Sequence, residues 1–130
     1  MTIASSNNNN PYCASAFYVY VKEKNLLVFM SDKTTRHISD TEKNKNVAGT
    51  ILPKKVKLAQ VIGIQFTGEI HELQDDLRKL CLSKYLKAFP VAALHSSTLW
   101  GIEPPFIKMT DSRLGFGKKI IWNKSVAPGI

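Results

Sequence analysis

Long apolar runs are missing from this chain of 130 residues. No stretch approaches the roughly 18 uninterrupted apolar residues of a membrane helix, so no membrane partner is expected. The opening MTIASSNNNNPYC has no basic start followed by an apolar run, so no signal peptide is expected. Cysteine is scarce: Cys13 and Cys81 have no metal or redox spacing such as C-x-x-C, and two cysteines make no disulfide framework. A reduced, cytoplasmic setting is the expectation. His37, His71 and His95 share no metal-ligand spacing, and no adjacent Cys or Glu completes a site, so no metal is expected. No serine lies in a G-x-S-x-G context and no Cys–His pair can be placed, which argues against catalytic-triad chemistry. Repeats and long linkers are also absent, leaving one domain over residues 1–130.

What is present suits a single buried core. A hydrophobic content of 44% against 22% charged residues is ordinary for a globular domain. The net charge of +8 favours anionic partners without naming them. Its lysines are scattered, at 22 and 24, at 54, 55 and 57, and at 118 and 119. Solvated surface explains most of them, and nucleic acid is not an expected partner.

Asn7–Asn10 followed by Pro11 reads as a turn between two strand-like segments. CASAFYVYV (13–21) and LLVFM (26–30), joined by a polar turn, read as a hairpin with both faces apolar or small, as in a closed or doubly covered sheet. VAGTI (47–51) is a third strand. In KLAQVIGIQFTGEI (57–70), Leu58, Ile62, Ile64, Phe66 and Ile70 share one face at period two, with Gly63 and Gly68 as bulge positions. One helix follows: Leu73, Leu77, Leu80, Cys81, Tyr85 and Ala88 form a stripe, Asp75 and Asp76 mark its start, Lys84 and Lys87 its end, and Pro90 its stop. Further strands are expected at 98–104, 105–111 and 118–122, with DSRLGFG (111–117) as a turn. Phe17, Tyr18, Tyr20, Phe66, Trp100 and Trp122 fall on strands, most of them expected in the core. The total is about seven strands, one main helix and one short one: a mostly β, antiparallel barrel.

The short helix is SDKTTRHISDTEKN (31–44), and part of its charge sits at the wrong end. Lys33, Arg36 and His37 crowd a start that the helix dipole makes unfavourable for cations. Capped by Ser31 or Thr34, the helix would point free amides out beside Thr35, Arg36 and His37, a set of donors that suits a phosphate. The competing account is a solvated turn, and Asp32, Lys43 and Lys45 do follow the dipole. LGFGKK (114–119) has a G-x-G without phosphate-loop spacing, and it precedes a strand. It reads as a glycine-shaped turn or as a loop that closely approaches a ligand or a second subunit.

The run from CASAFYVYV through LLVFMSDKTTRHISDTEKNKNVAGTI resembles the opening of the pyridoxamine-phosphate-oxidase-like, FMN-binding split barrels. Within that superfamily KTTRH, VAGTI, GIQFTGEI, FPVA and above all MTDSRLGFGKKIIW resemble the bacterial YhbP family, in order from about residue 13 to 122. The resemblance implies a split barrel of roughly six to eight strands, a homodimer, and FMN in the cleft between subunits. It implies that Thr35, Arg36 and His37, with Ser31 and Lys33 nearby, hold the FMN phosphate, and that Ser15 and Phe17 contact the ring. His37 stands where the superfamily often has Lys, which implies weaker or pH-dependent phosphate binding. Family members usually carry a helix ahead of the first strand, which here opens almost at once, so part of the cleft or dimer contact is expected to differ.

The expectation is a flavin-dependent oxidoreductase of unknown substrate, with no catalytic base named. Two alternatives stand beside it: a non-catalytic barrel that binds another anionic ligand or a protein, and a haem-binding barrel, which lacks a well-placed axial ligand.

Overall fold

The computed structural model of the protein describes residues 1–57 and 59–124. Leu58, expected on the apolar face of its strand, lies outside the described residues. The elements in order are β1 (Thr2–Asn7), β2 (Asn10–Ser15), β3 (Tyr18–Val21), β4 (Leu26–Ser31), α1 (Arg36–Lys43), β5 (Asn46–Ile51), β6 (Ile62–Glu72), α2 (Asp75–Ala88), β7 (Thr98–Asp111) and β8 (Lys119–Asn123). Every strand pairing is antiparallel, in the order β2-β1-β5-β6-β7-β4-β3, and β8 pairs with β7.

The polyasparagine stretch makes the first hairpin. Asn7 pairs with Asn10, and the two residues between them, Asn8 and Asn9, both take positive φ, at 50° and 60°. Two-residue turns of this hand match the twist of the flanking strands, and Asn tolerates them well.

The expected strand over 13–21 is two strands. The chain stays with β1 as far as Ser15, where Ala16 exchanges two backbone hydrogen bonds with Met1, both 2.9 Å, and then crosses to β4 as β3. The two expected strands over 98–111 are one. In β7, Pro104 and Pro105 together face the single residue Gly68, because Thr67 pairs with Phe106 while Glu69 pairs with Glu103. Proline has no N–H for a ladder, so a bulge is where it fits. A Cβ on Gly68 would lie 2.8 Å from the Glu103 carbonyl oxygen. Gly63, by contrast, pairs regularly with Thr110 and carries no bulge.

β1 and β4 are far apart in strand order, yet Ile3 of β1 shares one buried cluster with Leu27 and Phe29 of β4, Phe66 and Ile70 of β6, and Ile102 of β7. The sheet therefore curls around this core, and Ile38 of α1 plugs it. The opposite face of β3, β4 and β7 packs through Val21, Val28 and Leu99 against Cys81 and Tyr85 of α2 and Leu73 just ahead of it. β4 is thus covered on both sides, as its apolar sequence requires. Burial of each such side chain stabilises the fold by about 1.5–3 kcal/mol. Phe66 and Trp100 are core as expected, whereas Phe17, Tyr20 and Trp122 are exposed. Phe17 sits in the crossing between β2 and β3, and among the described residues β8 pairs only with β7, which leaves Phe17 and Trp122 with little cover.

Gly49 is a close-approach position. A Cβ there would lie 2.3 Å from the Phe66 ring and 2.6 Å from the Thr2 carbonyl oxygen. Gly49→Ala is expected to cost about 1–3 kcal/mol by overpacking, read as a lower urea midpoint.

Candidate functional site

β4 ends at Ser31, and α1 begins at Arg36 with Thr35 as its cap residue. The expected helix over 31–44 is therefore shorter, and neither Ser31 nor Thr34 caps it. No side chain accepts from its first amides. The first helical hydrogen bond, from the Ser39 amide to the Thr35 carbonyl at 2.9 Å, leaves the preceding amides of the opening turn without helical partners.

The strand end is held in place by Trp100, whose indole N–H donates to the Ser31 carbonyl at 2.9 Å, and by Ser97, whose hydroxyl donates to Asp32 Oδ1 at 3.0 Å. Three polar side chains meet there. The Thr35 hydroxyl donates to the Asp32 carbonyl at 2.8 Å, Ser31 Oγ lies 3.2 Å from Thr35 Oγ1, and His37 Nε2 lies 2.9 Å from Ser31 Oγ. Each hydroxyl has one proton. With that of Thr35 committed to Asp32, Ser31 donates to Thr35, and His37 must donate to Ser31. This assigns neutral His37 as the Nε2–H tautomer, from the hydrogen-bond network. Its Nδ1 can then take a second proton without breaking the chain.

Burial lowers the His37 pKa, and the nearby Asp40 carboxylate opposes that effect. The other charged groups around the turn are paired. Lys33 Nζ lies 2.7 Å from Glu72 Oε2. Arg36 lies over the Tyr12 ring at 4.4 Å, with its Nε 3.7 Å from the largely buried carboxylate of Asp40, which also accepts from Ser5 Oγ at 3.3 Å. The reversed charge of the sequence thus has internal partners. Of the five candidates on this segment, Ser31, Thr35 and His37 converge, while Lys33 and Arg36 flank them.

Ser15 and Phe17 line a separate open cleft of about 380 Å³ with Met1, Thr2, Ala16, Thr50 and Leu52. Phe17 is 76% exposed, and its ring packs at 5.5 Å on Phe89. The β3–β4 register begins with Tyr18 against Phe29, while Ser15 still pairs with Thr2 of β1. A larger cleft of about 630 Å³ lies around Glu69, His71, Glu103 and Lys124, away from these residues. Among the described residues no cluster of three His, Cys, Asp or Glu side chains suits a metal. No helix among them is long and apolar enough to cross a membrane. Sequence reasoning missed Trp100, Glu72 and Tyr12 as supports of the segment, because each arrives from a distant strand. The Arg36–Asp40 spacing of four was its one local signal.

No family model matches the chain. Solved structures define its class. It superposes on the heme binding protein from Mycobacterium smegmatis with a TM-score of 0.77 at 11% identity, covering 95% of this chain and 52% of that one. On a pyridoxamine 5'-phosphate oxidase-related, FMN binding protein from Nostoc punctiforme the TM-score is 0.67 at 10% identity, covering 94% and 78%. At such identities the likeness establishes the fold, an antiparallel split β-barrel of the pyridoxamine-phosphate-oxidase type. A UPF0306 protein of Klebsiella pneumoniae is 40% identical over 124 residues, which span 95% of this chain and 84% of that protein. The chain belongs to the UPF0306 family.

The His37 assignment has a consequence for stability. Its folded pKa lies below the ordinary value of 6.5, so the unfolded chain takes up this proton more readily. Stability is full above that value and declines as pH falls through it toward the lowered folded value. His37→Gln is expected to remove this part of the slope, read by urea unfolding on either side of the ordinary histidine pKa.

Proposed function

We propose that this barrel binds FMN, with the phosphate at the start of α1 and the ring toward the cleft of Ser15 and Phe17, and that it acts as a flavin-dependent oxidoreductase. The observation that carries the reading is the uncapped first turn of α1 beside the converged Ser31, Thr35 and His37. Oriented amides and an adjacent guanidinium are donors that a phosphate uses, and the Ser31 and Thr35 hydroxyls would join them by turning from their internal acceptors. The residues present therefore fit the group. FMN, when bound, supplies redox chemistry through its ring. The chain's part is to hold the phosphate, to orient the ring and to present Arg36 once it leaves Tyr12 and Asp40. The FMN binding named for the Nostoc punctiforme protein supports this reading, as does the resemblance to the YhbP family, whose members are expected to be cytoplasmic homodimers.

A barrel that binds a different anion or a protein lacks a comparable observation in its favour. Haem is the cofactor named for the Mycobacterium smegmatis neighbour, and the same spectrum separates it from flavin.

The visible absorption spectrum of the purified protein, before and after addition of FMN and desalting, is expected to show retained flavin. A colourless protein that releases all added FMN overturns the proposal, and a Soret band replaces flavin with haem. Arg36→Ala is expected to weaken FMN binding by about 1–3 kcal/mol, the scale of a charge-assisted hydrogen bond, by fluorescence titration. FMN affinity, compared with that of His37→Gln so that the titration of the phosphate itself cancels, is expected to rise as pH falls through the histidine range.

A further inference from the structure

Two segments project from the end of the barrel where β5 and β7 finish. Ile51, the last residue of β5, pairs with Ile64, and Ile62, the first of β6, pairs with Asp111, the last of β7. The loop over 52–61 and the hairpin tip over 112–118 therefore leave the sheet side by side. Ser112 ties them together: its amide donates to the Val61 carbonyl and its hydroxyl oxygen accepts from the Val61 amide, both at 2.9 Å. Asp111, 3% exposed, fixes the tip by accepting from the Arg113 side chain at 2.7, 2.9 and 3.2 Å and from the Arg113 amide at 3.0 Å. Gly115 and Gly117 take φ of +130° and +72°, conformations that side chains resist. This frame holds Phe116 wholly in solvent.

The surface so presented is both apolar and cationic. Val56, Val61, Leu114, Ile120 and Ile121 are each about half exposed or more. Lys54, Lys55, Lys57, Lys118 and Lys119 are exposed as well, and among the described residues none of the five makes an ion pair. Elsewhere Lys33, Lys79, Lys84 and Lys124 each reach a carboxylate. Residues 52–61 and 112–119 contain no acid, and Asp111 is buried against Arg113. Lysines that are scattered in the sequence are thus gathered at one end of the fold.

Unpaired lysines select an anionic partner, and exposed branched aliphatic side chains select hydrocarbon. A nucleic acid meets the first demand alone: bases stack on aromatic faces, and Phe116 is the one ring in residues 52–61 and 112–121. A second copy on this face would set lysines against lysines with no carboxylate between them. An anionic phospholipid surface meets both demands. Its headgroups take the ammonium groups, and apolar side chains enter the boundary beneath them. Resting on a membrane in this way needs no spanning helix.

We infer that this end of the barrel docks on anionic phospholipid, with Phe116 as the inserted anchor and the five lysines on the headgroups. The phosphate site proposed at α1 lies at the other end of β7, where Ser31 pairs with Thr98, so the contact does not depend on the flavin reading.

The full chain is expected to pellet with vesicles of phosphatidylcholine and phosphatidylglycerol, to stay in solution with phosphatidylcholine alone, and to be released as salt rises. Phe116→Ser is expected to weaken partitioning about tenfold or more, the scale of burying one large apolar side chain. Lys118→Gln with Lys119→Gln is expected to weaken it about thirtyfold, and far-ultraviolet circular dichroism is expected to stay unchanged in both variants. In a Cys13→Ser background, with Cys81 buried, a polarity-sensitive dye on Phe116→Cys is expected to shift to the blue on anionic vesicles. The same dye on Lys79→Cys, at an exposed position of α2, is expected to stay unshifted. No pelleting with anionic vesicles, pelleting indifferent to Phe116→Ser, or equal shifts at 116 and 79 would overturn the inference. So would a blue shift at 116 without vesicles, on raising the protein concentration or adding single-stranded DNA, which would give the face to a second copy or to nucleic acid.

Discussion

β7 is a strand of 14 residues that lies against β6 along both of its halves, and the ladder between them shifts where Pro104 and Pro105 face Gly68. The two prolines have no N–H to offer and the glycine has no Cβ to obstruct, so the sheet bends there without leaving a donor stranded. On its other edge β7 takes β4 with its first half and β8 with its second. The bend lets the sheet curl far enough for Ile3 and Phe29, from strands distant in the pairing order, to share a core. It also sets both regions of functional interest. Trp100, in the first half, holds the carbonyl of Ser31 where α1 begins, and the second half carries the hairpin that presents Phe116.

An anion docking at the start of α1, as proposed, would compete with the internal partners there, and magnitudes would favour the anion. The exposed Lys33–Glu72 pair contributes about 0–1 kcal/mol, and Arg36 over Tyr12 adds about 0.5–1 kcal/mol. A hydrogen bond to a charged group contributes about 1.5–3 kcal/mol. The internal pairs therefore hold the cations in readiness without locking them. His37 differs in kind: half-buried and hydrogen-bonded to Ser31, it is kept neutral by burial, and it gains charge at a ring nitrogen that the hydrogen-bond chain leaves free.

Much of the fold was legible because it rests on local rules. Asn8 and Asn9 announced a turn, the alternation through Phe66 and Ile70 a strand, and the stripe through Leu77, Cys81 and Tyr85 a helix, and each stands where its pattern put it, although Leu73 falls just ahead of the helix. Gly68 was readable as a bulge position. That the extra residue belongs to the opposite strand was not readable, since it depends on which strand pairs there. The break at Ala16 was hidden for the same reason: residues 13–21 are continuous in β character, and the partner changes from β1 to β4 midway. The glycine-shaped turn in LGFGKK was visible, whereas its pinning by Asp111, Arg113 and Val61 was not.

By itself the sequence determined the periodicities, the turns and the chemistry available in residues 31–37, because these follow from neighbours a few positions apart. Tertiary structure alone decided which of those residues meet. Ser31, Thr35 and His37 converge because Trp100, 69 residues beyond Ser31, holds the strand end. Arg36 turns aside because Tyr12, from the first hairpin, offers it a ring. Contacts across such separations depend on strand order and register, which no local pattern encodes.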